Sequence, residues 1–163
     1  MKRWPIGAIL LIFVSFAVAQ TKALIGTSNS FVQSQFCKQY SCALVGRQQL
    51  MTNLEEWRYT HKYDGDESVV AVLRSKGVIT SASFTATVQD VCCTDKRTIQ
   101  LVQAMAGVTV TTAELSVLAE AAVSATGREV RISLLNKGSP AFISMLFSPE
   151  YSGANRFSFV VSQ

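Results

Sequence analysis

The chain has 163 residues and a formal net charge of +4 at pH 7, from 15 basic and 11 acidic side chains. Lys2 and Arg3 lie in a segment that we expect to be removed, and without them the chain keeps 13 basic side chains and a formal charge of +2. This small excess gives little support to a nucleic-acid partner. The sequence has neither a G-x-S-x-G motif nor a glycine-rich phosphate loop, so we expect no cofactor.

The first residues, MKRWPIGAILLIFVSFAVAQ, have the pattern of a secretory signal peptide: two basic side chains, an apolar run over Ile6–Phe16 and small residues before a cleavage point. We predict that residues 1–19 are cleaved off after Ala19 and that residues 20–163 form a single disulfide-stabilised domain, secreted or periplasmic. An N-terminal membrane anchor is the alternative, but the apolar run is shorter than the roughly 20 residues of a spanning helix. We expect no transmembrane segment after cleavage.

The most regular pattern begins at Leu54, where aromatic residues alternate with polar ones up to Asp64-Gly65. Alternation is typical of a strand, and Asp-Gly is one of the pairs most favoured in a two-residue hairpin turn. Such a turn pairs Tyr63 with Asp66. The same register places three further pairs opposite each other: Lys62 with Glu67, Tyr59 with Val70, and Trp57 with Val72.

A third strand continues the alternation to Val88 and completes a three-stranded meander over residues 54–88. We predict a three-residue loop, Ser75–Gly77, with the glycine in the left-handed conformation. This loop pairs Val70 with Ala82 and Val72 with Thr80, whereas a two-residue turn would place both valines opposite serines.

Two central helices are predicted, over residues of about 95–106 and 112–126. Thr94 or Asp95 is expected to cap the first. Thr111 and Glu114 have the spacing of a capping box at the start of the second, and Gly127 is expected to end it.

Three more strands are predicted over residues 129–162, and the middle one, an almost continuous apolar run over Phe142–Phe147, is expected to be buried on both faces. A short helix is expected within Ser28–Tyr40. The order of elements predicts an α+β fold with a mainly antiparallel sheet and the two central helices packed on one face. One six-stranded sheet is preferred over two packed sheets of three strands.

The cysteines are Cys37, Cys42, Cys92 and Cys93, and an oxidising compartment favours disulfides among them. A bond between the two adjacent cysteines would close a strained ring, so we expect each to bond back to Cys37 or Cys42. A local Cys37–Cys42 bond is the alternative. A zinc site and thiol–disulfide exchange are less favoured, because the adjacent pair suits neither two zinc knuckles nor a C-x-x-C motif.

His61 is the only histidine, and its position in a strand predicts a partly exposed sheet residue rather than a metal ligand or a general base. The acidic residues within 64–67 fall on the hairpin turn and lack the other ligands of an EF-hand. We therefore predict no metal site and no catalytic residue.

Four aromatic residues are candidate contacts with a protein partner: Trp57, Tyr59 and Tyr63 in the first strand of the hairpin, and Tyr151 in the loop Ser148–Asn155. Strand alternation favours the other interpretation for Trp57 and Tyr59, in which both face the core.

The function predicted from the sequence is that of a non-enzymatic secreted or periplasmic binding or structural module, and a candidate component of a bacterial cell-envelope assembly with a protein partner. The alternative is an extracytoplasmic cysteine-dependent enzyme or thiol–disulfide exchange protein that uses Cys92 or Cys93.

Overall fold

The structure is a computed structural model, and it describes residues 22–63, 66–87, 96–149 and 156–163. The predicted signal peptide lies outside these residues. The α-helices within them are α1 (Gln35–Tyr40), α2 (Lys96–Ala106) and α3 (Thr112–Ser124). The strands are β1 (Ala43–Met51), β2 (Leu54–Tyr63), β3 (Asp66–Ser75), β4 (Val78–Thr87), β5 (Glu129–Ser133), β6 (Phe142–Ser148) and β7 (Arg156–Ser162).

These strands form one antiparallel sheet in the order β1-β2-β3-β4-β7-β6-β5. The first four strands are a meander, and β7 returns to pair with β4 after the chain has passed through α2 and α3. The predicted α+β class and the single sheet are confirmed. The sheet has one strand more than predicted, because β1 extends the meander on its outer side.

β1 was not predicted because its sequence, ALVGRQQLM, has no regular alternation. Its pairing with β2 skips Val45 and Leu50, which are extra residues on the β1 side. Each of these bulges breaks the two-residue period from which a strand is recognised. The turn between β1 and β2 is Thr52-Asn53, with Asn53 in the left-handed conformation.

The β2–β3 hairpin has the predicted register. The observed pairs include Tyr63 with Asp66, Lys62 with Glu67, Tyr59 with Val70, and Trp57 with Val72. The turn residues Asp64 and Gly65 lie outside the described residues. Alternation and one register assumption were therefore enough to predict how β2 pairs with β3.

The loop predicted over Ser75–Gly77 is wrong. Ser75 pairs with Val78, so the turn has only two residues, Lys76 and Gly77, with φ of 50° and 77°. Two left-handed residues in succession are typical of the type I′ turn, whose twist matches that of the flanking strands. Asn, Asp and Gly favour the first position of this turn, and the lysine found there did not predict it.

The pairs predicted between β3 and β4 are wrong for a second reason. The register shifts after Ile79 because Thr80 is an extra residue on β4. Val72 consequently lies opposite Ala82, and both side chains are buried. Without this bulge the two-residue turn would have placed Val72 opposite Ser81.

Both central helices lie close to their predicted positions. Thr111 and Glu114 form the complete capping box of α3. The helix ends at Ser124 with Ala125 as its C-cap, and Gly127, which was expected to end it, lies beyond with a left-handed φ of 75° and donates its N–H to Phe147 of β6. The predicted caps of α2, Thr94 and Asp95, lie outside the described residues. The short helix predicted in residues 28–40 is α1, preceded by a 3-10 turn over Phe31–Gln33.

The described helices pack on the same face of the sheet. Phe31 lies over β2, with its ring centroid 5.1 Å from that of Tyr59. α2 contacts β7, and α3 contacts β5 and β6. Buried side chains on adjacent positions of the middle strands face this helical layer: Phe84, Phe159 and Met145.

β6 was expected to be buried on both faces, and this holds only at its centre. Ile143 and Met145 are fully buried on the helical side, and Ser144 is buried on the other side. Phe142 and Leu146, which share that other side with Ser144, are half-buried.

The segment Leu24–Thr27 joins the helical layer to the sheet. The backbone N–H of Leu24 donates to the carbonyl oxygens of Ala104 and Met105 at 3.2 and 3.1 Å, so it caps the end of α2. Two further bonds reach β4, from Gly26 N to Ile79 O at 2.9 Å and from Ile79 N to Thr27 O at 2.8 Å.

Candidate binding surface at the β1 edge

Cys37 and Cys42 form a disulfide with each other, which is the local alternative and not the long-range clamp that we expected. Ser41 takes the left-handed conformation at the end of α1, and the N–H of Cys42 donates to the carbonyl of Cys37 at 3.2 Å. This tight turn brings the two Cα atoms to 4.7 Å, within the usual range for a disulfide. Cys92 and Cys93 lie outside the described residues.

His61 is buried, contrary to the prediction of a partly exposed position. The helix α1 packs over this end of β2, and the ring centroids of Phe36 and Tyr40 lie 5.4 and 6.2 Å from that of His61. Its side chain therefore belongs to the aromatic core. Within the described part of the chain, no group of three His, Cys, Asp or Glu side chains is placed to hold a metal ion.

The structure describes the side chains of two of the four candidate aromatic contacts, Tyr59 and Trp57. Tyr59 is 1% exposed, so its side chain is part of the core, as alternation favoured. Burial raises the pKa of its phenol, although the nearby Arg74 and Arg47 act to lower that pKa. Trp57 is partly buried against the core. Tyr151 and the side chain of Tyr63 lie outside what the structure describes.

Trp57 is the centre of a cluster that the sequence did not indicate. The guanidinium of Arg47 lies 4.0 Å from the centroid of the indole ring and that of Arg74 lies 4.6 Å from it. The indole Nε1 donates to a carboxylate oxygen of Glu55 at 2.7 Å. These side chains come from the adjacent strands β1, β2 and β3, and the cluster of two guanidiniums and one carboxylate has an excess positive charge.

The two arginines of this cluster have different surroundings. Arg74 is buried, and its Nη2 donates to the carbonyl oxygens of Ser28 and Gly77 at 3.2 and 2.5 Å. Arg47 is exposed on β1, and among the described residues it makes no hydrogen bond or ion pair with a carboxylate. The cation–π contact with Trp57 positions the Arg47 guanidinium, and such a contact contributes about 0.5–1 kcal/mol at an exposed site. It leaves the N–H donors of the guanidinium accessible.

The strand that carries Arg47 is the terminal strand of the sheet. Among the described residues β1 pairs with β2 alone, so its other side presents backbone N–H and C=O groups that no described strand pairs. Eight of its nine residues are exposed. Large apolar side chains lie near both ends, where Val45 is 58%, Leu50 41% and Met51 69% exposed.

A groove lies beside β5, at the other side of the sheet. It has a volume of about 390 Å³ and lies between α3 and the turn that follows β5, lined by Val117, Ile132 and Leu134. Lys137 lies beside it, with its Nζ 2.8 Å from a carboxylate oxygen of Glu114. The hydrogen bond from Lys137 lowers the pKa of Glu114, and the backbone N–H of Thr111 lowers it further.

Comparison with protein-family models, curated proteins and solved structures finds no match for this chain. In the described part of the chain, none of the helices has both the length and the apolar character needed to cross a bilayer.

Proposed function

We propose that this protein is a non-enzymatic binding module of an extracytoplasmic compartment, and that it binds an extended segment of a partner protein alongside β1. The observation that carries the proposal is the open edge of β1, a nine-residue terminal strand whose side chains are almost all exposed. Addition of a strand to such an edge is a common mode of peptide recognition.

The binding energy would come from two sources. Backbone hydrogen bonds to the added segment would satisfy the unpaired groups of β1, and the regular stretch Gly46–Gln49 lies between the two bulges. The exposed apolar side chains at both ends of β1 would bury surface on the partner, at about 25 cal/mol per Å². β2 and β3 hold β1 in place as a preorganised template.

The disulfide supports the proposed location. A Cys37–Cys42 bond persists in oxidising compartments such as the periplasm or the extracellular space and is rare in the cytosol. The basic and apolar pattern of residues 1–19 points to the same location. A cell-envelope assembly is the setting in which a secreted module with an open strand edge would meet a stationary partner.

Cysteine chemistry is the competing class of function. In the described residues Cys37 is buried and bonded to Cys42, so neither sulfur is a nucleophile in this state. The competing class therefore depends on Cys92 and Cys93. Alkylation of the native protein without reductant, followed by a binding assay, tests it: the binding proposal expects partner binding to be unchanged when Cys92 and Cys93 are labelled, and loss of activity toward the partner on labelling would favour cysteine chemistry.

The binding proposal itself is tested by photo-crosslinking in the cells that produce the protein. A photoreactive phenylalanine analogue replaces Val45 in one variant and Met51 in another, because these positions lie near opposite ends of β1. The expected result is an adduct from each variant to the same partner segment, at sites about six residues apart, since paired strands advance by about 3.3 Å per residue.

The control variant carries the same analogue at Leu135, which is 72% exposed and lies beyond β5 at the other side of the sheet. It should give little adduct with that segment. Equal adduct from Leu135, or crosslinks from Val45 and Met51 to unrelated surfaces, would contradict strand addition at β1.

A further inference from the structure

Gly46 follows the bulge at Val45, but its own backbone does not require glycine. Its φ lies outside the left-handed region, and a Cβ built on its backbone meets no heavy atom within 4 Å. A glycine weakens a strand, and it often marks either a bulge or the close approach of another backbone. Gly46 therefore opens the middle of the β1 edge to an incoming chain.

Arg47 is the next residue and projects to the helical face, opposite Trp57. Its guanidinium is held over the indole ring, and its planar set of N–H donors matches the geometry of a carboxylate. Arg58, on the neighbouring strand, differs because its Nε already donates to Glu56 at 2.5 Å. Arg47 thus has unused capacity for an acidic group at the edge itself.

We infer that the segment bound along β1 is an extended peptide of another protein with an acidic side chain facing Arg47. This inference rests on the proposed function and adds the chemistry of the partner. Because neighbouring side chains of a strand point to opposite faces, the residues that flank the acidic one would lie on the far face, where Gly46 leaves room for a bulky side chain.

A second copy of this chain fits the site less well. β1 contains no acidic residue, so pairing of two β1 strands cannot place a carboxylate beside Arg47 in any register. The antiparallel register centred on Arg47 would also bring two guanidiniums together. β5, the other edge, offers Glu129, but this side chain already lies 3.4 Å from Arg131.

The test uses the mature chain, labelled with ¹⁵N, and two short capped peptides of alternating threonine and valine. One peptide has a central glutamate and the other a glutamine. The glutamate peptide should protect amides within β1 from hydrogen exchange, and Arg47→Gln should weaken its binding by about tenfold, as expected for loss of a charged hydrogen bond. Added salt should weaken the binding of the glutamate peptide but not that of the glutamine peptide.

Arg58→Gln is the matched control, because it removes the same charge from the opposite face of the neighbouring strand β2, where Arg58 pairs with Gly46. It should leave the affinity for both peptides unchanged. Arg47→Gln should likewise leave the glutamine peptide unaffected.

The possible failures are distinguishable. Equal binding of both peptides at β1, unaffected by Arg47→Gln, would overturn the acidic partner and leave strand addition standing. Absence of protection in β1 with either peptide would overturn strand addition as well. Protection of β1 that appears without peptide and rises with protein concentration would show that a second copy occupies the edge, and would overturn the inference.

Discussion

The two edges of the sheet are protected against unwanted strand pairing in different ways. β5 has five residues, and its exposed positions include the ion pair between Glu129 and Arg131. Short length and charge are common protections against unwanted strand pairing. β1 has nine residues and exposed apolar side chains, and its protection consists of the bulges at Val45 and Leu50.

The difference indicates which edge is suited to binding. Bulges twist the ends of β1 and disfavour indiscriminate pairing along its whole length, yet they leave the regular stretch Gly46–Gln49 available. β5 offers no comparable stretch, because charged residues occupy two of its three exposed positions. Protection at β1 is therefore compatible with selective use of the edge.

The largest expected effect comes from removing the core beneath the β1 edge. Tyr59→Ala should lower the free energy of unfolding by about 3–5 kcal/mol, since it replaces a fully buried ring with a cavity. Ile132→Ala on β5 should cost less than about 2 kcal/mol because that side chain is only half-buried. Urea denaturation of both variants measures the difference, and equal losses would contradict it.

The disulfide should stabilise the β1 edge more than the β5 edge, because Cys42 immediately precedes β1. Replacing Cys37 and Cys42 together with alanine opens a small loop and should cost about 2 kcal/mol in the chain-entropy model. Hydrogen exchange at temperatures below unfolding should accelerate in β1 and α1 before it does in β5. Uniform acceleration across the sheet would show that the bond has no local role.

Gly46→Val tests whether the glycine of β1 serves folding or binding. The substitution should raise the free energy of unfolding by about 0.5–1 kcal/mol, because glycine is the weaker strand residue and the added side chain meets open space. It should also weaken the addition of a strand. A thermal melt and a peptide titration measure the two effects, and a loss of stability would mean that the fold itself requires the glycine.

The smallest expected effect concerns the ion pair near the β5 end of the sheet. Glu114 has a pKa below its ordinary value of 4.5, so Lys137 stabilises the folded state above that value and the stabilisation is lost as pH falls through the lowered pKa. For a pair that is partly exposed to solvent this amounts to about 0.2–1 kcal/mol. Lys137→Gln should thus lower the free energy of unfolding at neutral pH but not in acid, as urea denaturation at the two pH values would measure. An equal loss at both pH values would exclude the ion pair as its cause.

The sequence was informative wherever local chemistry alone determined the structure. The register of β2 and β3 followed from alternation around Asp64-Gly65, and the start of α3 followed from Thr111 and Glu114. Alternation gave wrong predictions where the strands contain bulges, at Thr80 in β4 and in β1. One extra residue changes the face on which every following side chain lies.

The candidate site was less predictable than the fold. Trp57 could be singled out as an aromatic strand residue, but its neighbours Arg47 and Arg74 come from two other strands. Both arginines contact Trp57 only because their strands, β1 and β3, pair with β2. The sequence did not predict β1, so it could not predict the contact of Arg47. His61 was misplaced for a similar reason, since its burial depends on α1, which lies over 20 residues earlier in the chain.

The segment Leu24–Thr27 has a consequence for the order of folding. Its hydrogen bonds reach Ile79 in β4 and Met105 at the end of α2, so the first described residues of the chain are fixed by partners that are synthesised much later. Such long-range closure raises the contact order and slows folding. The N-terminal end of the described domain therefore stays undocked until α2 has been synthesised, so the domain closes only after most of its chain is available.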